Sequence, residues 1–156
     1  SNVELALAFI IGGAVRGFVN GILVLLLGIF IVGMPVEKPF SVILIIFMVS
    51  WAFSSIGLVI GIMAQTWDNI ATMVNFFITP LIFLGGVFYS INMLPGFWRT
   101  ISLVNPIYYL INGLRQSVLG VGDTPFSTSL TASIFMTLLF SSIGIFLFHK
   151  GYRIKS

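Results

Sequence analysis

The sequence predicts an all-α, polytopic transmembrane helix bundle with four spanning helices and a short re-entrant or interfacial helical hairpin before the last span. Three observations predict it. Of 156 residues, 58% are hydrophobic and only 7% are charged, where an ordinary soluble domain has roughly a quarter charged. Four apolar runs are each long enough for the ~20 residues with which a helix crosses a ~30 Å hydrocarbon core. One longer interval, by contrast, is broken by prolines, glycines and charges. Seven basic and four acidic side chains cannot clothe a soluble fold, whereas a bilayer covers apolar faces itself.

The first span covers about residues 5–32 and carries Gly13, Gly17 and Gly21 at four-residue spacing, which bares one helix face to a neighbouring backbone. A short turn, GMPVEKP, with Pro35, Pro39, Glu37 and Lys38, leads into a second span over 40–64. That span repeats the small-residue spacing with Ser50 and Ser54, then Gly57 and Gly61. The polar turn QTWDN follows, with Asp68 or Asn69 suited to N-cap a third span over 70–91 and Trp67 suited to the interface. The last span, 130–148, continues a ridge of Ser129, Ser133, Thr137 and Ser141, able to pack closely or hydrogen-bond across helices.

Between the third and last spans, residues 93–120 predict a non-spanning helical hairpin. Its first arm begins at Pro95, with Trp98 and Arg99 as interface residues. Its second arm begins at Asn105-Pro106, an N-cap residue followed by a proline that needs no donor at the first helical position, and stops at Gly120. About 14 helical residues reach only about 21 Å, too short to cross. Ile107, Leu110, Ile111, Leu114 and Val118 follow helical spacing, and Asn105, Tyr109, Asn112 and Gln116 run down another side. Such backbone dips into a membrane only when buried in protein or lining a wet cavity.

Polar groups inside spans are the candidates to line a pathway: Arg16 and Asn20 on the first, Asn75 and Thr79 on the third. A lipid-facing arginine at the bilayer centre costs about 2.5–3.5 kcal/mol on insertion scales. Arg16 therefore either snorkels to a membrane face or meets a polar cavity.

The formal charge is +3, but apart from Lys150, Arg153 and Lys155 the basic residues form no patch, which reads as a membrane-flanking anchor and not as a nucleic-acid surface. Four crossings place both termini on one side, and that cluster makes the side cytoplasmic. There is no cysteine, so neither a thiolate nucleophile nor a cysteine metal site is available. The one histidine, His149, sits at a span end, and Glu4, Glu37, Asp68 and Asp123 are scattered at span boundaries. That pattern pairs no carboxylates for acid-base work, assembles no metal site, and speaks against a hydrolase or transferase. A secondary transporter would carry acidic residues within its spans and an inverted repeat; neither is visible. No G-x-x-x-x-G-K-[ST] phosphate loop occurs. The chain is thus expected to hold no cofactor and to be no enzyme. Opening on SNVELALAF, without an initiator methionine or a basic leader, it reads as a portion of a longer protein and not as a signal peptide.

Ile78, Leu81, Leu84 and Gly85, then Val87, then Leu94-Pro95, and after ten residues Pro106-Ile107, Tyr109 and Arg115, form an ordered pattern that resembles the signature of type-2 ATP-binding-cassette (ABC) transporter permeases. The resemblance implies the last four of six spans of an exporter permease for polysaccharides, lipids, drugs or similar substrates, in the inner membrane. It further implies pairing with a second permease subunit and with separate ABC ATPase subunits, on which ATP and magnesium would bind, and a hairpin capping the outer end of the pathway.

Overall fold

A computed structural model describes residues 1–151; Arg153 and Lys155 of the expected basic cluster lie outside the described residues. Every regular element among them is helical. Helix α1 (Asn2–Leu27) starts in a capping box, with the Ser1 hydroxyl accepting from the Glu4 amide, and runs on as one π turn, Gly28–Val32. Helix α2 (Pro39–Met63) opens with proline in its first turn. The third span is composite: α3 (Trp67–Met73), a π turn (Val74–Ile78) and α4 (Thr79–Leu84). Two short helices, α5 (Gly96–Val104) and α6 (Pro106–Leu119), precede the long α7 (Phe126–His149). Among the described residues, four helical stretches are long and apolar enough to cross a membrane: Asn2–Val32, Pro39–Met63, Trp67–Leu84 and Phe126–His149.

The third span departs from its expected bounds of 70–91 at both ends. It begins at Trp67 because Thr66, and not Asp68 or Asn69, is the N-cap, its hydroxyl accepting from the Asn69 amide at 3.3 Å. It stops at Leu84 because Gly85 and Gly86 follow, Gly86 with a φ of 79° that only glycine adopts without strain. The π turn inside it has a local cause. Pro80 has no N–H, and its ring would collide with the Phe76 carbonyl in a regular α-helix. Widening by one residue removes the collision, and the Thr79 amide and hydroxyl both reach the Val74 carbonyl, the hydroxyl at 3.2 Å.

Helices α1 and α2 pack antiparallel along the glycine face. A Cβ added at Gly13 would lie 2.2 Å from the Ser54 Oγ, at Gly17 3.2 Å from the Ser50 Cβ, and at Gly21 2.7 Å from the Ile46 Cγ2. Only bare backbone fits there. Gly57 and Gly61 lie off this row: a Cβ added at either meets nothing within 4 Å, so no helix among the described residues packs on their bare faces. The hydroxyl ridge of α7 meets α2 and α6. Ser129 and Ser133 are fully buried, and Ser141 accepts from the Trp51 indole at 3.0 Å and bonds the Ser55 hydroxyl at 2.9 Å.

Hairpin α5–α6 enters the bundle and does not lie across its end. Val118, near the C-terminal end of α6, packs on Val42 in the first turn of α2, whereas Ile107 and Leu110 pack on Ala52, Ile56 and Met136. Ala52 is thirteen residues along α2 from Pro39, or about 20 Å, so the tip between α5 and α6 reaches the level of the middle of α2. The loop after α1 closes the mouth: the Glu37 and Lys38 amides donate to the Val118 and Ser117 carbonyls at 3.1 and 3.0 Å, supplying partners to two free carbonyls at the end of α6. At the other end of the bundle, Phe9 and Phe148 have ring centroids 6.1 Å apart. The start of α1 and the end of α7 therefore share one face, opposite the hairpin mouth.

Candidate functional site

The residues singled out by sequence spacing converge mainly on the joint between α4 and α6. Asn105 is 3% exposed and its side chain serves two helices. Its Oδ1 accepts from the Ile107 amide at 3.0 Å, capping α6, while its Nδ2 donates to the Leu81 carbonyl at 2.5 Å. That carbonyl belongs to the last turn of α4, where the Gly85 amide turns instead to the Ile82 carbonyl and would leave it unpaired. The Tyr89 hydroxyl takes the next one, the Phe83 carbonyl, at 2.9 Å. Ile78 and Leu81 pack against the core formed with Ile107. Gly85 faces Ile111 so closely that an added Cβ would lie 2.6 Å from the Ile111 Cδ1. Leu84, the last residue of α4, is half-buried.

Arg115 secures the second point of the joint. Its guanidinium donates to the Gly86 carbonyl, to the Tyr89 carbonyl at 3.4 Å, and to the Asp123 carboxylate at 3.4 Å. Asp123 is held by the Ser90 hydroxyl, by the Ile91 amide at 3.2 Å and by the Asn92 side chain at 3.1 Å. With its side chain 8% exposed, this carboxylate is surrounded by donors that occupy its oxygens. Tyr109 ties the two arms of the hairpin together, its hydroxyl donating to the Leu103 carbonyl at 2.8 Å. Pro106 opens α6 without needing an acceptor.

Three signature positions do other work. Val87 lines a groove beside the joint, Leu94 closes the short turn Ile91–Met93, and Pro95 is the N-cap of α5.

The polar stripe expected on α6 is not turned to water. Asn112 is fully buried; its Nδ2 reaches the Ser129 hydroxyl at 2.7 Å and the Thr124 hydroxyl and carbonyl at 2.9 and 3.0 Å, and its Oδ1 accepts from the Asp123 amide at 2.8 Å. It fastens α6 to the loop before α7 and to α7 itself. Asp123, Asn112 and Tyr89 are the residues that spacing did not single out as a site. A signal for Asp123 existed: a short helix carrying Arg115 at membrane depth needs a counter-charge, and Asp123 stands eight residues on.

The groove has a volume of about 550 Å³ and is nearly all apolar. It opens between α1 (Gly17, Asn20, Val24), α2 (Ile46, Val49, Ser50) and α6 (Ile111, Leu114, Val118). Of the polar span residues, Asn20 lines it and Arg16 stands exposed one turn away on α1. Asn75 is exposed on the π turn of the third span, and Thr79 is occupied with the Val74 carbonyl; neither lines the groove.

Four long apolar helices, with a hairpin driven into the bundle from one face and fastened there by side chains, define a multi-pass helical membrane protein built round a re-entrant element. The family model described as "ABC-2 type transporter" matches residues 1–119, and the chain belongs to this family. It is 38% identical over 145 residues to the inner membrane transport permease YadH of Escherichia coli strain K12, an alignment that covers 93% of this chain and 57% of YadH. It is 28% identical over 69 residues, 44% of this chain and 26% of the relative, to nodulation protein J of Rhizobium meliloti. The chain thus spans little more than half the length of the YadH relatives that it matches. No solved structure matches it.

Proposed function

We propose that this chain is part of the membrane-spanning permease of an ATP-driven ABC exporter, working as a dimer with separate ATPase subunits to pass a polysaccharide, lipid, drug or similar substrate across the inner membrane. The observation that carries this reading is the joint of α4 and α6: family membership and 38% identity to an inner membrane transport permease coincide with a hairpin fastened by Asn105 and Arg115. In this reading the hairpin mouth faces outward and closes the outer end of the pathway, and both termini face the cytoplasm. ATP and magnesium bind on the ATPase partner, and this chain contributes no catalytic group.

The test is co-purification of the full-length protein, extracted in mild detergent, with an ABC ATPase subunit, followed by measurement of ATP hydrolysis by the complex in lipid vesicles. A stable complex whose hydrolysis rate changes in the Arg115→Ala variant is expected. Recovery of the permease without any ATPase would overturn the proposal.

A further inference from the structure

Contacts between α1 and α2 fix the depth of Arg16. The pairs Gly13 with Ser54, Gly17 with Ser50, and Gly21 with Ile46 set a constant antiparallel register, in which the two residue numbers add to 67. Arg16 is therefore level with Trp51, twelve residues from either end of Pro39–Met63, or about 18 Å from each. An arginine side chain cannot span that distance to water, so snorkelling does not account for it. Arg16 is exposed on the bundle surface, and among the described residues it makes no hydrogen bond or ion pair.

Nothing within residues 1–151 can neutralise it, and neither can a second copy. Glu4 lies in the first turn of α1, Glu37 in the loop at the hairpin mouth, and Asp68 in the first turn of α3. Asp123 is bonded to Arg115. Glu4, Glu37 and Asp68 thus lie at the two faces of the bundle, and Asp123, in the loop before α7, is already taken by Arg115. Lipid headgroups are excluded by the same distance.

The surroundings favour a helix as the neighbour. Asn20, one turn along from Arg16, lines the apolar groove. Residues 15–32 of the first span, which include Arg16 and Asn20, and the whole of Trp67–Leu84 hold no buried side chain, whereas the most apolar stretches of α2 and α7 are 33% and 22% buried. The matched relatives also contain segments with no counterpart here, since YadH is covered over only 57% of its length.

We infer that Arg16 forms an ion pair with an Asp or Glu at mid-depth on a membrane-spanning helix outside residues 1–151, which packs along α1 over the groove at Asn20 and Val24. Such a pair neutralises the arginine within hydrocarbon, and removing either partner leaves the other as an uncompensated charge there.

A photoreactive benzoylphenylalanine at Asn20 of the full-length permease, irradiated in the native membrane, tests this. A crosslink to polypeptide is expected, mapping by mass spectrometry to an apolar segment that contains an Asp or Glu. Arg16→Glu should lower the amount of membrane-inserted protein at least about fivefold, and changing the mapped carboxylate to Lys in that background should restore it. Arg16→Lys should stay close to wild type. If Asn20 does not accept the probe, Val24 in the same groove serves. Adducts to lipid or to a small anionic molecule only would overturn the inference in favour of a ligand site, as would an Arg16→Leu variant that accumulates as well as wild type.

Discussion

The Asn105 side chain lies 2.5 Å from the Leu81 carbonyl, so one amide both starts α6 and completes the end of α4, 24 residues earlier in the chain. The last turn of the third span is thereby finished by the tip of the hairpin and not by its own backbone.

Replacing Asn105 by Ala removes both bonds at a buried site and should destabilise the full-length protein by about 2–3 kcal/mol, one part from the lost cap and one from an unpaired carbonyl. Asn105→Ser keeps the cap but not the reach to Leu81, and its loss should be smaller by about 1 kcal/mol. Thermal unfolding in detergent reads both. Equal melting temperatures for the two variants would contradict the dual role.

Arg115 and Asp123 should behave as coupled partners. Arg115→Ala and Asp123→Ala are each expected to cost roughly 2–4 kcal/mol, and the double variant less than their sum by about 0.5–3 kcal/mol. Arg115→Lys should not restore stability, because a single ammonium cannot serve the Gly86 carbonyl, the Tyr89 carbonyl and the Asp123 carboxylate in one plane. Additive losses in the double-mutant cycle would show that the pair is incidental.

Two glycines of similar sequence setting should respond differently to alanine. Gly13→Ala forces a methyl group into the Ser54 hydroxyl and should cost about 1–3 kcal/mol, with Ser54→Gly relieving part of the loss in the double variant. Gly57→Ala enters open space and should be neutral or stabilising by up to about 1 kcal/mol. Protein yield and thermal stability distinguish the two.

None of these 156 residues is cysteine, so a single cysteine introduced here, with any cysteine elsewhere in the full-length protein replaced, reports one position. Cysteine at Met93, which is 79% exposed beside the hairpin mouth, should react with an impermeant maleimide on intact cells. Cysteine at Asn69, exposed near the start of α3 at the opposite face, should react only after permeabilisation. The same accessibility at both positions would contradict the arrangement of the spans.

Much of this fold is written in local signals. Apolar length marks the four spans, and Asn105-Pro106 and Gly120 mark the ends of α6, because caps and span lengths depend on a few adjacent residues. Three features are not legible in that way. The short third span turns on Gly86 taking a positive φ, while Gly85 beside it does not. The inward face of Asn112 depends on where Thr124 and Ser129 arrive, and an amphipathic pattern cannot tell water from a polar socket in protein. Gly57 and Gly61 carry the right spacing for close packing, but spacing does not say which face of α2 meets α1. Within the site, Arg115 and Asn105 stand out from the sequence, whereas their acceptors, apart from the Asp123 carboxylate, are backbone carbonyls, which carry no sequence signature.

The carbonyls of Leu81, Phe83, Gly86, Tyr89 and Leu103 are each satisfied by a side chain, most of them across the joint. Peeling the hairpin away would strip the Leu81, Gly86 and Tyr89 carbonyls of their donors, and a bare polar group in hydrocarbon costs several kcal/mol. The hairpin and the end of the third span are therefore latched into a single piece, and the regular α-helix of that span is interrupted just ahead of it, at the widened turn Val74–Ile78 before Pro80.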